Sequence, residues 1–418
     1  MGMYRMSTND WKQGDRAMLL QFRFKNYRSF ADEAVLDMTA SPACRELPGF
    51  VLDGGVLPVA AIYGANASGK SNVIKAYDAF TTMLRDPYFL KDMKQTLVTP
   101  YALDSRSSEP TEYEAFVRLD NVEYRYGFIA NKKAVLREWL SFKKNSKRAK
   151  KETTIFDRKE NLILPGERYS EIKQFEGIVS STTLLLTLLG KKEVPVTHDL
   201  FSFLAYASIF SSDLENLTNQ TRLNTTAEQF KNDSKFKAYC INIIKKFDPC
   251  ISSIMVKKEL DKDQNDLFRL FSVHSLPDGR KLSWPIEIES GGTQKLVSYL
   301  FFVAFCLEFG NVLAIDELDA QLHPLILREL ISMFHDPDIN TGKGQLIITT
   351  HNPILLDKDC LRRDEIWFTE KDKDGKSSLY SLADFRDEDE KRMRSDLNYM
   401  DNYLLGRFGA IPYKDAEE

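Results

Sequence analysis

The chain has 418 residues, 43% hydrophobic and 28% charged, the balance of a globular protein with a real core and enough length for two or three domains. Its net charge of -4 excludes a molecule-wide polyanion binder, so any contact with nucleic acid must come from a local patch. Five scattered cysteines without a CxxC pair, and five histidines without metal-ligand spacing, exclude a disulfide framework and a zinc site.

The first residues, MGMYRMSTNDWKQGDRA, read as a polar extension over 1–17 without the apolar core of a signal peptide. No segment approaches a transmembrane span, so the expectation is a cytoplasmic protein with no membrane partner. LLQFRFKNYRSF then alternates Leu20, Phe22 and Phe24 with Gln21, Arg23 and Lys25, a half-buried strand, and ADEAVLDMTA is its candidate antiparallel partner. LPVAAIY, Leu57 to Tyr63, is continuously apolar and reads as a buried parallel strand. It runs into GANASGKS and a helix carrying Val73, Ile74, Tyr77, Phe80 and Leu84 on one side.

EYEAFVRL and EYRYGFIA predict a hairpin across Leu119-Asp120-Asn121. The middle of the chain is mixed and lysine-rich, without the sustained heptads of a coiled-coil arm. KKNSKRAKK, 143–151, packs six basic residues into nine positions. It could meet a phosphate backbone or an acidic partner, which leaves nucleic acid open as a ligand, but a solvated hairpin tip is the plainer reading. Past Ser290 come a helix with Leu296, Val297, Leu300, Phe301 and Phe305, then the apolar strands Val312–Ile315 and Leu346–Ile348. EIWFTEKDKDGKSSLYSL is a hairpin turning at Asp374-Gly375, followed by a charged helix and GRFGAIP.

GANASGKS fits G-x-x-x-x-G-K-[ST], with Gly64, Gly69, Lys70 and Ser71 at the fixed positions and Asn66 inside the loop. Glycines there let successive backbone N–H groups curl around a β-phosphate at a helix N-terminus. Lys70 brings charge to the β- and γ-phosphates of ATP, and the Ser71 hydroxyl is a ligand for Mg2+. Such a site also needs a carboxylate beside the magnesium on a neighbouring strand end. Asp316, closing VLAIDE, is placed for it, with Glu317 next in line to orient or deprotonate the attacking water. His351 closes LIITTH in the same way, at the kind of strand end where open α/β sheets bind ligands.

The order P-loop, Ser-Gly-Gly, Asp-Glu, His resembles that of ABC-type ATPases, including the SMC-like DNA-repair branch. The resemblance makes ESGGTQ the signature motif, with Glu289 and Thr293 where LSGGQ has leucine and glutamine. It implies that Ser290, Gly291 and Gly292 bind the γ-phosphate of ATP held by another copy, and that Asp319 is the D-loop aspartate facing that copy. FKNYRSF, DELDAQLHP, TTHNP, and RRDEIWFTEKDKDG with GRFGAIP further resemble the RloA/AbiL-type ATPases of bacterial abortive-infection loci.

The expected fold is α/β: an ABC-type P-loop NTPase head with an inserted, mostly helical subdomain and a short C-terminal hairpin plus helix. Its head comprises 18–136 and 281–360, the insertion 137–280 and the tail 361–418. The expected function is an ATPase that forms a head-to-tail homodimer, or a higher oligomer, around ATP and regulates a separately encoded effector such as a nuclease in antiphage defence. A DNA-tethering or repair ATPase is the alternative, but it predicts a coiled coil or zinc hook. A transporter subunit predicts a shorter helical lobe. Asp372-Lys373-Asp374 imitates a Toprim DxD but falls in the turn of the tail hairpin.

Overall fold

The computed structural model describes residues 17–85, 96–144, 151–194, 197–210, 223–320 apart from 225, 229, 232, 233 and 261–265, then 322–386 and 397–411. The extension up to residue 16, most of the basic run at 143–151 and most of the charged segment after Phe385 lie outside them. Strand β1 (Ala17–Lys25) alternates as its sequence requires: Phe22 and Phe24 are buried and Arg23 is partly exposed. It pairs antiparallel with β2 (Ala34–Asp37), Phe22 opposite Leu36. Strand β3 (Val59–Gly64) is buried at every residue, and helix α1 (Lys70–Arg85) follows it directly.

The antiparallel sheet then resumes. β4 (Thr111–Leu119) turns through Asp120 and Asn121 into β5 (Val122–Ala130), the expected hairpin, with Asp120 in the left-handed region. β6 (Val135–Lys144), β7 (Thr153–Lys159) and β8 (Leu162–Pro165) complete seven strands in the order β2-β1-β4-β5-β6-β7-β8. Residue 137, the expected start of the insertion, therefore lies inside a strand of this sheet. The rest of 137–280 mixes helices with strands: α2 (Leu185–Lys191), α3 (His198–Ala205), β9 (Ser208–Phe210), α4 (Ser234–Phe247), β10 (Ile251–Leu260) and β11 (Asp266–Ser275). β12 (Lys281–Pro285) closes a three-stranded meander β10-β11-β12.

Helix α5 (Gly291–Phe309) leads to β13 (Val312–Ile315), α6 (Pro324–His335), β14 (Gln345–Thr349), the hairpin β15 (Ile366–Lys371) with β16 (Ser377–Ser381), and α7 (Tyr399–Leu404). The central sheet has the order β16-β15-β3-β14-β13-β9, parallel except for β16. Its inner strands β3, β14 and β13 are buried on both faces. Ala60, Ile62, Val312, Ala314 and Ile347 face the core shared with α1 and the antiparallel sheet, where Phe80 stacks on Phe128 with centroids 5.6 Å apart. Val59, Ala61, Tyr63, Leu313, Ile315, Leu346 and Ile348 face α5 and α6. The fold is thus α/β, a six-stranded, mostly parallel sheet with one apolar core on each face and a seven-stranded antiparallel sheet packed on one side. Among the described residues no helix is long and apolar enough to cross a membrane.

Gln345 bonds the two sheets directly: its amide accepts from Leu19 N–H at 2.6 Å and donates to Leu19 O at 2.9 Å. A different tie, from the antiparallel sheet to helix α2, runs through Glu138 on β6, fully buried. α2 has no side-chain cap of its own at Leu184, and the Glu138 carboxylate accepts from Leu185 N–H at 2.6 Å and Leu186 N–H at 2.9 Å instead. Tyr126 donates to it at 3.0 Å, and Arg158 pairs with it at 3.4 Å while donating to Thr183 O and Ser180 O. Burial pushes the Glu138 carboxyl above its ordinary value, opposed by Arg158 and these donors. Glu138→Leu strands a buried guanidinium and two helix N–H groups, so it should cost roughly 3–5 kcal/mol of stability. A denaturant midpoint equal to wild type would show that the tie carries no stability.

Candidate functional site

β3 delivers the chain to the phosphate loop at Gly64, which has φ 154°. A Cβ there would lie 2.5 Å from Ser68 Oγ and from Thr369 O. Gly69, φ 119°, is closed off from behind in the same way, since its Cβ would lie 2.6 Å from Ser377 Oγ. Both glycines are therefore required by what packs behind the loop as well as by what could approach in front of it. Asn66 and Ala67 are exposed at the loop's outer edge, with Ala67 held at φ 63°. Ser68 Oγ meets Thr369 Oγ1 at 2.6 Å, and Ser377 Oγ lies 2.6 Å from Ser68 O and 2.8 Å from Ser29 Oγ. The tail hairpin and the FKNYRSF loop are the back wall of this turn.

Lys70 opens α1 and folds its Nζ back over the loop, donating to Gly64 O at 2.8 Å and Ala65 O at 2.9 Å. Burial lowers its pKa to about 8, against the attraction of Asp316, Glu317 and Asp319. Those acids all follow β13, which is separated from β3 by β14. β13 is followed at once by Asp316, which is buried and accepts from Thr349 Oγ1 at 2.6 Å. The same hydroxyl accepts from Glu317 N–H at 2.7 Å, and Glu317 sits at φ 51°. Asp319 Oδ2 accepts from His351 N–H at 3.0 Å, so the turns after β13 and β14 are interlocked. The His351 ring is held below its ordinary pKa, first by desolvation and then by Lys70, with Asp319, Glu317 and Asp316 opposing. A neutral imidazole at neutral pH follows.

Lys70, Asp316, Glu317, Asp319 and His351 are thus one electrostatic cluster at the carboxyl ends of β3, β13 and β14, with Ser71 half-buried beside Lys70. Ser290, Gly291 and Gly292 belong to a different neighbourhood. Ser290 caps α5 by accepting from Thr293 N–H at 3.1 Å, and Thr293 Oγ1 donates to Asp248 at 3.3 Å. Ser290 and Gly291 are exposed. The helix begins at Gly291, so the glycine pair is its first turn and its N–H groups point outward from the cap.

Three contributors were not singled out from sequence. Thr349 carried a signal, two residues before His351 at the same strand end. Ser377 and Thr369 carried none, because only the pairing of β16 with β15 and of β15 with β3 brings them to the loop. Asp372-Lys373-Asp374 does lie in the hairpin turn, where Asp372 Oδ1 accepts from Asp374 N–H at 3.0 Å and Lys376 N–H at 2.7 Å.

A family profile described as "AAA domain, putative AbiEii toxin, Type IV TA system" matches residues 59–357. No curated protein matches the chain. Among solved structures, the SmcHead bound to the C-winged helix domain of ScpA is similar at 16% identity and TM-score 0.42, over 87% of this chain and 97% of that one. The SMC head domain from Thermotoga maritima is similar at 14% and 0.40, over 87% and 98%. The Smc head domain with an extended coiled coil bound to the C-terminal domain of ScpA, from Pyrococcus furiosus, is similar at 15% and 0.43, over 87% and 96%.

The lowered pKa of Lys70 makes anion binding pH-dependent. A phosphate recruits the ammonium, and the free amine forms as pH rises through about 8, well below its ordinary 10.5. Affinity for ATP should therefore be full near neutrality and fall by about tenfold per pH unit above that point. Titration of a fluorescent ATP analogue against pH measures it, and an affinity that stays flat into the alkaline range would show that Lys70 does not titrate there.

Proposed function

This chain belongs to that AAA-domain family, and we propose that it binds and hydrolyses ATP as the switch of an abortive-infection system whose effector is a separate chain. The observation that carries the ATPase reading is the convergence of Lys70, Asp316, Glu317, Asp319 and His351 on a glycine loop at one end of the parallel sheet. Lys70 would exchange its two loop carbonyls for β- and γ-phosphate oxygens. Ser71 and Asp316 offer the hard oxygen donors that magnesium takes, and Thr349 fixes the Asp316 carboxylate from one side. Bound Mg2+ would neutralise charge on the phosphates. Glu317, its backbone held by Thr349, is the residue to orient and deprotonate the attacking water, with His351 at the γ-phosphate.

The exposed cap at Ser290, with Gly291 and Gly292, is the complementary half-site for ATP on a second copy, and Asp319 faces that copy. ATP would close two heads and hydrolysis would release them, a two-state element that an effector can follow. The finer likeness to RloA/AbiL-type ATPases rests on the tail beyond residue 357, outside the matched residues, and is part of this proposal. Nuclease and nucleic-acid partners are inferences of the same kind.

Two outcomes test it. Lys70→Ala and Ser290→Arg proteins should each be inactive alone, yet their mixture should recover ATP turnover, because a mixed dimer keeps one intact composite site. Recovery that is absent despite demonstrated heterodimers would remove the shared site. Separately, purified protein with ATP, Mg2+ or Mn2+, and plasmid or tRNA should leave the nucleic acid intact. Cleavage that vanishes in a variant outside the ATPase residues would make this chain the effector.

A further inference from the structure

In a signature turn where the related motif carries leucine, Glu289 makes contacts that leucine cannot. Its Oε1 is the common acceptor for Ser272 Oγ, for His274 Nε2 at 2.7 Å and for Trp284 Nε1 at 2.8 Å. All three donors stand on β11 and β12. The His274 and Trp284 rings stack with centroids 4.4 Å apart and planes at 18°, so two of the donors hold each other in place. The Glu289 side chain is only 11% exposed, and His274 14%. Burial alone would push this carboxyl up, yet the three bonds bring it below its ordinary value.

The backbone of the same residue is anchored in the other direction. Gln294 Nε2 donates to Glu289 O at 2.8 Å and to Glu287 O at 2.9 Å from the first turn of α5. Ser290 follows immediately. It is exposed, and apart from its own bonds to Thr293 N–H and Gln294 N–H its position is set by residue 289, clamped to the meander on one side and to the helix on the other.

We propose that Glu289 is the positioning residue of the signature half-site, and that the β10–β12 meander is the frame that aims Ser290 and the α5 N–H groups at ATP on the second copy. This rests on the trans-site reading above. A leucine here would leave three partly buried donors without their acceptor and free the turn to drift. Displacement of a catalytic group by about 1 Å costs on the order of a hundredfold in rate.

The test uses the full chain with Glu289→Leu, Glu289→Gln and Ser290→Arg. Glu289→Leu restores the residue type of the common motif, yet turnover should fall about tenfold to a hundredfold. Binding of a fluorescent ATP analogue to the chain's own P-loop should be unchanged. Glu289→Gln, which keeps the acceptor oxygen, should be intermediate. Mixing Glu289→Leu with Lys70→Ala protein should restore activity, as one site then combines an intact loop with an intact signature. A purely structural role predicts that analogue binding and turnover are lost together, without rescue on mixing, and that result would overturn the proposal. Wild-type turnover in Glu289→Leu beside an inactive Ser290→Arg would also overturn it and leave the trans site standing. Full activity in Ser290→Arg would instead remove the trans-site reading itself. Should Glu289→Leu fail to fold, Trp284→Phe removes one donor, and unchanged turnover in both Trp284→Phe and Glu289→Gln would overturn the proposal.

Discussion

Burial of β3, β14 and β13 on both faces is the constraint from which the rest of the site follows. Val59 to Tyr63 and Val312 to Ile315 pack alternately into two apolar cores, and neither core can accept a charge without a partner. Polar chemistry is therefore expelled to the strand ends. Parallel pairing brings those ends to the same edge, because the register sets Ile315 beside Ile348 and Thr349 beside Ile62. Gly64, Asp316 and Thr349 are neighbours for that reason, although more than 250 residues separate Gly64 from the other two in sequence.

What the edge then does with its charges depends on Lys70. Its ammonium is desolvated enough to be weakened, yet it sits opposite three carboxylates and is bonded to two carbonyls. That is a cation stored against its own loop. Release from Gly64 O and Ala65 O needs a better anion in front, and the loop cannot collapse to fill the gap. Ser377, Thr369 and Ser29 brace it from behind, and the Cβ contacts at Gly64 and Gly69 leave no slack on that side.

Much of this was legible in sequence because the signals are local. A continuous apolar run followed by a glycine loop is a buried strand and a phosphate turn, and the ends of VLAIDE and LIITTH place Asp316, Glu317 and His351 without any pairing information. The antiparallel sheet was read only in part. Its first strands alternate clearly, whereas TTIFDRK (β7) has no period of two and LILP (β8) is only four residues long, and only the pairing of β7 with β6 and of β8 with β7 shows that residues 153–165 extend the same sheet. The meander was missed for a similar reason: ISSIMVKKEL has no clean period, and the registry of β10 with β11 carries the information. Ala67 at positive φ had no compositional cue at all.

The P-loop and the proposed signature half-site are supported by different parts of the chain, and this shapes how they could communicate. The P-loop is backed by the tail hairpin, the signature turn by β11 and β12, and α5 packs against the central sheet between them. α5 packs Leu296, Leu300, Val303 and Leu307 into the same core as Leu313, Leu346 and Ile348. A close-packed core transmits displacement instead of absorbing it. If α5 and β13 turn as one unit, Ser290 and Asp316 move together, in the proposed dimer one toward the second copy and the other toward its own nucleotide. A partner that grips the meander or the tail would act on only one half-site directly, and it would reach the other through this helix.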